Sequence, residues 1–162
     1  QPWWADYKVF NDAMSRVGML LAEGEIKFDT LLMHNMTSGW ITFNCGNNTL
    51  PDGKDIKYYN QSLINATLAL EAKHIPFHLG DETLMERHGR VEGNKLIIGE
   101  QTYTTVVLPE YICFMENTQK LLDEFKANGG IITTEEELRK ELERLQMENE
   151  LLRDFLSETE RK

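Results

Sequence analysis

The sequence predicts an α/β domain, a parallel sheet covered by helices on both faces, continued by a long helix with a heptad pattern. Three observations carry that expectation. Short apolar runs alternate with amphipathic stretches through residues 26–132, the order that builds strand–helix–strand units. Turn chemistry such as Asn128-Gly129-Gly130 separates them. Beyond Thr134, leucine recurs every seven residues. The expected organisation is an N-terminal helix over 1–25, an α/β domain over 26–132 and a C-terminal helix over 133–162.

The elements follow in order. Trp3, Tyr7, Phe10, Met14, Val17 and Leu21 recur at three- and four-residue steps, which places them on one face of a helix. Gly24 supplies its stop. Ile26–Met33 ends in a short apolar run and reads as the first strand, buried in a sheet. His34 to Asp55 reads as a long connection rich in turn residues, among them Gly39, Gly46, Asn47, Asn48 and Pro51-Asp52-Gly53. Trp40, Ile41 and Phe43 within it are expected to fold back onto the core.

Residues 56–73 follow the helical step, with Leu63, Ala66 and Leu70 facing inward. Ile75–Leu79 reads as a second strand, with Pro76 tolerated near its start. Asp81-Glu82-Thr83 opens a short helix through Arg87. Val91 to Gln101 alternates and turns at Glu92-Gly93-Asn94, a hairpin signal. Thr104–Leu108 is a strand that Pro109 ends, Thr118–Lys126 an amphipathic helix, and Ile131-Ile132 a last short strand.

Composition narrows the function. A chain of 162 residues with 41% hydrophobic content has enough apolar surface for a core. A formal charge of −10 disfavours nucleic acid and anionic membranes as main partners. No apolar run approaches the roughly 20 residues of a membrane span. The chain opens on Gln1 with no signal-like segment, so the compartment stays open, with the cytoplasm favoured. Cys45 and Cys113 make no metal-like spacing and read as free, buried thiols. Sequons at Asn35, Asn47, Asn60 and Asn65 fall partly in segments expected to be buried and read as chance matches.

Catalytic signatures are absent. The chain contains no GxxxxGK, GxGxxG, GxSxG or HExxH string. Cys113 lacks the glycine-flanked turn of a nucleophile elbow. His74 and His78 are four apart, but Pro76 between them breaks any shared helical face, so neither a metal nor a cofactor is expected. The candidate site is a polar cluster at the carboxyl ends of the strands, where ligands of parallel sheets bind. It comprises His34 and Asn35 after the first strand, Asp81 and Glu82 after the second, and Glu110 after the third. The competing reading of the same residues is loop solvation and helix capping.

The C-terminal helix opens on a capping box, Thr134 with Glu137 three residues on. Leu138, Leu145 and Leu152 occupy d positions. Leu142, Asn149 and Leu156 occupy a positions. A buried asparagine at a favours a parallel, in-register dimer at a cost in stability. Glu148 at g faces Arg153 at the following e of a partner. The alternative is a helix that packs back onto its own domain.

The string Thr104-Thr-Val-Val-Leu-Pro-Glu-Tyr111, with Thr118-Gln-Lys-Leu-Leu-Asp-Glu-Phe-Lys-Ala-Asn-Gly-Gly-Ile-Ile-Thr133, resembles the glutamine-amidotransferase-like domain that follows the catalytic barrel in large glycoside hydrolases. The β-galactosidase trimerisation domain is one example, and the α-L-rhamnosidase-type enzymes carry a similar domain. Gln1-Pro2-Trp3-Trp4 with Leu20-Leu21-Ala22-Glu23-Gly24, and Ile97–Val107, resemble it too. The resemblance spans roughly residues 1–132 and rests on hydrophobic and glycine positions. It implies a three-layer, flavodoxin-like or class I glutamine-amidotransferase-like fold. It also implies a non-catalytic role in assembly or in shaping a sugar pocket, with carbohydrate as partner and residues 1–25 leaving a barrel. The Cys, His and Glu constellation of true amidotransferases is absent. The tail departs from that family and resembles the coiled coil of transposase-associated proteins. Two further readings stay open: a small hydrolase or transferase using the strand-end cluster, and a plain oligomerisation scaffold.

The heptad carries its own test. Asn149→Leu should tighten self-association and loosen its stoichiometry, read by sedimentation equilibrium. An unsubstituted chain that stays monomeric at high concentration would overturn the zipper.

Overall fold

A computed structural model describes residues 2–24, 27–43, 50 and 53–160 of the chain. Ile26, Cys45, Gly46, Asn47, Asn48, Pro51, Asp52 and the side chain of Leu156 lie outside the described set.

The architecture is α/β. Four parallel strands, β1 (Thr30–Met33), β2 (Phe77–Gly80), β6 (Thr105–Leu108) and β7 (Ile131–Thr134), lie in the order β2-β1-β6-β7. In register, Thr30 pairs with Phe77 on one side and with Thr105 on the other. Between β2 and β6 the chain forms a second, antiparallel sheet, β3 (Gly89–Glu92), β4 (Lys95–Ile98) and β5 (Gln101–Tyr103). The hairpin turn falls where Glu92-Gly93-Asn94 places it, with Gly93 at φ +58°. The strand β5 is an addition to the sequence expectation.

Alternation of side chains across the strands sorts the core into two layers. Leu31, Met33, Val106 and Leu108 face one side, where they meet Met85 and Phe114, Leu122 and Phe125, and Leu96 and Tyr103. Those partners come from α4 (Glu82–His88), from α5 (Glu116–Ala127) with the loop before it, and from the small sheet. Leu32 and Val107 face the other side against α3 (Ile56–Ala72) and α6 (Glu135–Glu160), through Ala66, Ala69, Leu70 and Leu138. Helices thus cover both faces of the parallel sheet. Gly130 is required by this packing: a Cβ there would meet the Phe125 ring at 2.3 Å.

Several expectations need correction. The first strand begins at Thr30. The connection from His34 to Asp55 contains a helix, α2 (Met36–Thr42). Its inward residues are Ser38 and Thr42, one helical turn apart. Trp40 (60% exposed), Ile41 and Phe43 therefore stay on the solvent side and do not return to the core. Cys113 is exposed, because the segment between β6 and α5 runs over the surface.

The N-terminal helix forms as the period predicts, a 3-10 turn over Pro2–Asp6 and then α1 (Tyr7–Ala22). Its apolar side chains stack on each other: the Trp4 and Tyr7 rings lie parallel at 5.5 Å, and Tyr7 is 6.4 Å from Phe10. No residue of α1 is buried.

The helix α6 starts at the expected capping box. Glu137 N donates to Thr134 Oγ1 at 3.2 Å, and Thr134 N donates to Glu137 Oε2 at 2.9 Å. These bonds hold the Glu137 carboxyl below its ordinary range. The seam is then divided. Leu138, assigned to a partner helix, is 4% exposed in the chain's own core, and Leu142 packs beside it. Lys73 Nζ reaches Glu141 Oε2 at 2.6 Å and tethers α6 to the end of α3. That ammonium holds the Glu141 carboxyl below its ordinary value. Further along, Leu145 is half-buried, while Met147, Asn149, Leu151 and Leu152 are exposed. At 1.5 Å per residue the helix is about 39 Å long, and the chain's own core holds little more than its first two turns.

This division makes a stability prediction. At low protein concentration, Leu138→Ala should cost about 2–5 kcal/mol. Leu152→Ala should change stability by no more than about 0.5 kcal/mol. Urea unfolding of the two variants checks it, and equal effects would refute the division.

Candidate functional site

Three strand ends meet at one edge of the parallel sheet. The strand β1 leads into His34 and Asn35, β2 into Asp81 and Glu82, and β6 into Pro109 and Glu110. The topology brings the five predicted residues to this edge. At the side-chain level, most of them are engaged in holding the loops.

Asn35 is 5% exposed and sits where the connections of β1 and β6 diverge. Its Nδ2 donates to the Tyr59 carbonyl at 2.9 Å and to the Glu110 carbonyl at 2.8 Å. One amide thereby joins the end of β1, the first turns of α3 and the end of β6. Ser62 Oγ accepts from Glu110 N, and Ser38 Oγ accepts from Ile112 N, both at 2.8 Å.

Glu82, also 5% exposed, uses both carboxylate oxygens. Oε1 accepts from Thr37 Oγ1 and Oε2 from Met115 N, each at 2.5 Å. Met115 is the N-cap position of α5, where a negative group is favoured by the helix dipole. A carboxylate from α4 thus caps α5 from outside and ties α2 to both. Asp81 is the N-cap of α4, with Oδ1 accepting from Leu84 N at 2.9 Å.

Glu110 is partly exposed. Its Oε2 accepts from Lys54 Nζ at 3.2 Å and from Tyr58 OH at 3.1 Å. The Lys54 ammonium also lies 4.5 Å from the centre of the Tyr58 ring. Hydrogen bonding to Glu110 and to Tyr58 raises the Lys54 pKa above its ordinary value. The His34 backbone N–H donates to the Gly80 carbonyl at 3.0 Å. Its ring makes no hydrogen bond to a hydroxyl or thiol among the described residues. The described residues contain no group of three or more His, Cys, Asp or Glu placed to hold a metal ion. They contain no helix long and apolar enough to cross a membrane.

A cavity of about 500 Å³ opens at the other end of the sheet. Phe28 and Asp29 lead into β1, Gln101 and Thr102 belong to β5, and Thr104 precedes β6. None of these residues belongs to the sequence-predicted site. The cavity is assembled from segments about seventy positions apart, Lys27–Asp29 and Lys95–Thr104. Its one signal in the sequence is the polar residues around Tyr103 in Gln101-Thr102-Tyr103-Thr104, which an exposed strand also shows.

The assignment of edge roles is testable. Glu82→Gln should destabilise the fold by about 1–3 kcal/mol, because charge-assisted bonds to a buried carboxylate are weakened. Glu110→Gln should cost no more than about 1 kcal/mol, since its ion pair is solvent-screened. A reversed order in urea unfolding would contradict both roles. Comparison with protein-family models, with characterised proteins and with solved structures finds no match to this chain.

Proposed function

We propose that the chain is a non-catalytic accessory and assembly domain of a carbohydrate-cleaving enzyme. The observation that carries this reading is the state of the carboxyl edge. In parallel α/β enzymes that edge holds the chemistry. In this chain Asn35, Asp81, Glu82, Ser38 and Ser62 are hydrogen-bonded to loops and helix ends. Glycoside cleavage needs two carboxylates set across a bond. Of the cluster's three carboxylates, Asp81 and Glu82 hold helix ends.

The strand order, second-first-third-fourth with all strands parallel, is compatible with the flavodoxin-like, class I glutamine-amidotransferase-like arrangement that the resemblance implies. The exposed apolar stripe of α1 and the outer turns of α6 support a role in assembly. In this reading residues 1–25 dock the domain to a catalytic barrel. The outer part of α6, at Leu145, Asn149 and Leu152, pairs two chains in parallel. Leu138 and Leu142 are left to the domain core, so the zipper is shorter than the full heptad pattern and correspondingly weak.

A second reading is favoured by one observation, the solvent-accessible Lys54–Tyr58–Glu110 group. There the chain would be a small stand-alone hydrolase or transferase. A plain scaffold is the third reading.

Assay of the purified chain with nitrophenyl glycosides separates the first two readings. The accessory reading expects a self-associating protein with no turnover, before and after Glu110→Gln. Turnover that falls by about tenfold or more in Glu110→Gln would overturn it in favour of the enzyme.

A further inference from the structure

The cavity at the amino edge of the sheet carries more than a surface dent would. Its charged and amide side chains, Lys27, Asp29, Lys95, Glu100 and Gln101, make no hydrogen bond or ion pair among the described residues. Lysines and carboxylates elsewhere are often paired, as in Lys54–Glu110, Lys73–Glu141 and Lys120–Glu116. The hollow is more polar than most ligand pockets, which set a few polar groups among apolar ones, so a ligand for it must itself be rich in hydrogen-bonding groups. The volume, about 500 Å³, falls within the roughly 300–1,000 Å³ of such sites.

One wall is aromatic and braced. Phe28 lines the cavity, and its ring lies 4.0 Å from the His78 ring. His78 Nδ1 is in turn 2.9 Å from the Tyr103 hydroxyl, and Tyr103 is buried in the core. The strand β2 and the small sheet therefore support the Phe28 ring from behind, and less of its motion remains to be lost on binding.

The lining defines the ligand chemistry. The two lysines and two carboxylates cancel, so neither a polyanion nor a polycation is selected. Lys27 and Lys95 offer donors, Asp29 and Glu100 offer acceptors, and Gln101 with the two threonines offers both. That set, beside an aromatic ring, matches a molecule whose rim alternates hydroxyl donors and acceptors and whose faces are C–H. We infer that this cavity binds a neutral saccharide of one to a few rings, packed on Phe28 and held at its hydroxyls by Asp29, Lys95 and Gln101. The choice of saccharide rests on the proposed carbohydrate function. The location does not.

Titration of the ¹⁵N-labelled full chain with lactose, L-rhamnose and cellotriose, followed by amide NMR, tests the inference. At least one saccharide should shift the amides of Phe28, Asp29, Gln101 and Thr102 with an apparent Kd in the millimolar range or tighter. Asp29→Asn and Lys95→Met change exposed side chains and should leave the unfolding midpoint in place, while each weakens binding by about threefold to tenfold. Phe28→Leu should weaken it further, and the two exposed substitutions keep the test decisive if that variant is unstable. The inference falls if no saccharide shifts these amides, if Asp29→Asn and Lys95→Met bind like the unsubstituted chain, or if only glycine or inorganic phosphate binds there. Saccharide shifts confined to other residues would remove this cavity and leave the carbohydrate reading standing. Turnover of nitrophenyl glycosides would remove the accessory reading and leave this site standing.

Discussion

Parallel strands cannot be joined by tight turns, so each strand in this sheet hands the chain to a connection whose backbone groups need partners. The strands are only four residues long, and their ladders alone do not define what happens at their ends. Asn35 and Glu82 meet that constraint. An asparagine amide with two N–H donors can satisfy two carbonyls at once, and Asn35 does so across β1, α3 and β6. A carboxylate with two oxygens can accept from two sides, and Glu82 takes one bond from α2 and one from the start of α5. Removal of either leaves buried polar groups without partners, a larger penalty than the loss of one average hydrogen bond.

The same residues explain how a polar cluster can resemble an active site. Residue types that bind ligands at strand ends are those that cap helices and bind loops, because both tasks need short side chains with strong acceptors. Sequence position cannot separate the two tasks. Partners can. Asp81 is bonded to Leu84 N, in its own helix, and Glu82 to Met115 N, thirty-three residues away.

What is legible in the sequence follows the range of the interaction. The periods of α1, α3 and α5, the Gly93 turn, the Asn128-Gly129-Gly130 stop and the Thr134–Glu137 box are local, and they stand in the structure close to where the sequence places them. The helix α2 escapes a reading by pattern because Met-Thr-Ser-Gly-Trp-Ile-Thr has weak helix formers and a glycine inside it. Its inward face is two hydroxyls that bond backbone groups, so hydrophobicity points to the wrong face and places Trp40 and Ile41 in the core. The seam of α6 is half legible. The seven-residue period states that Leu138, Leu142 and Leu145 need cover, but the cover for Leu138 is α3 of the same chain, and a period does not name its partner. The cavity has almost no local signal, because its two walls meet only after folding.

The two ends of the sheet therefore carry different physical loads. At the carboxyl edge, buried polar groups are consumed in closing loops that would otherwise part, and motion there would break several bonds together. At the amino edge, the backbone is already fastened: Thr104 N and Thr105 N both donate to the Asp29 carbonyl, at 2.9 and 3.1 Å. That fastening uses main-chain atoms and leaves the side chains of Asp29, Gln101 and Thr102 over the hollow. Side chains carried on a backbone already bonded to itself lose less freedom on binding, the condition the proposed saccharide site would use. The small antiparallel sheet thereby gains a second role. It covers the core at Leu96 and Tyr103, and through β5 it brings Gln101 and Thr102 alongside Phe28, which the parallel sheet alone would leave as an exposed aromatic at a strand start.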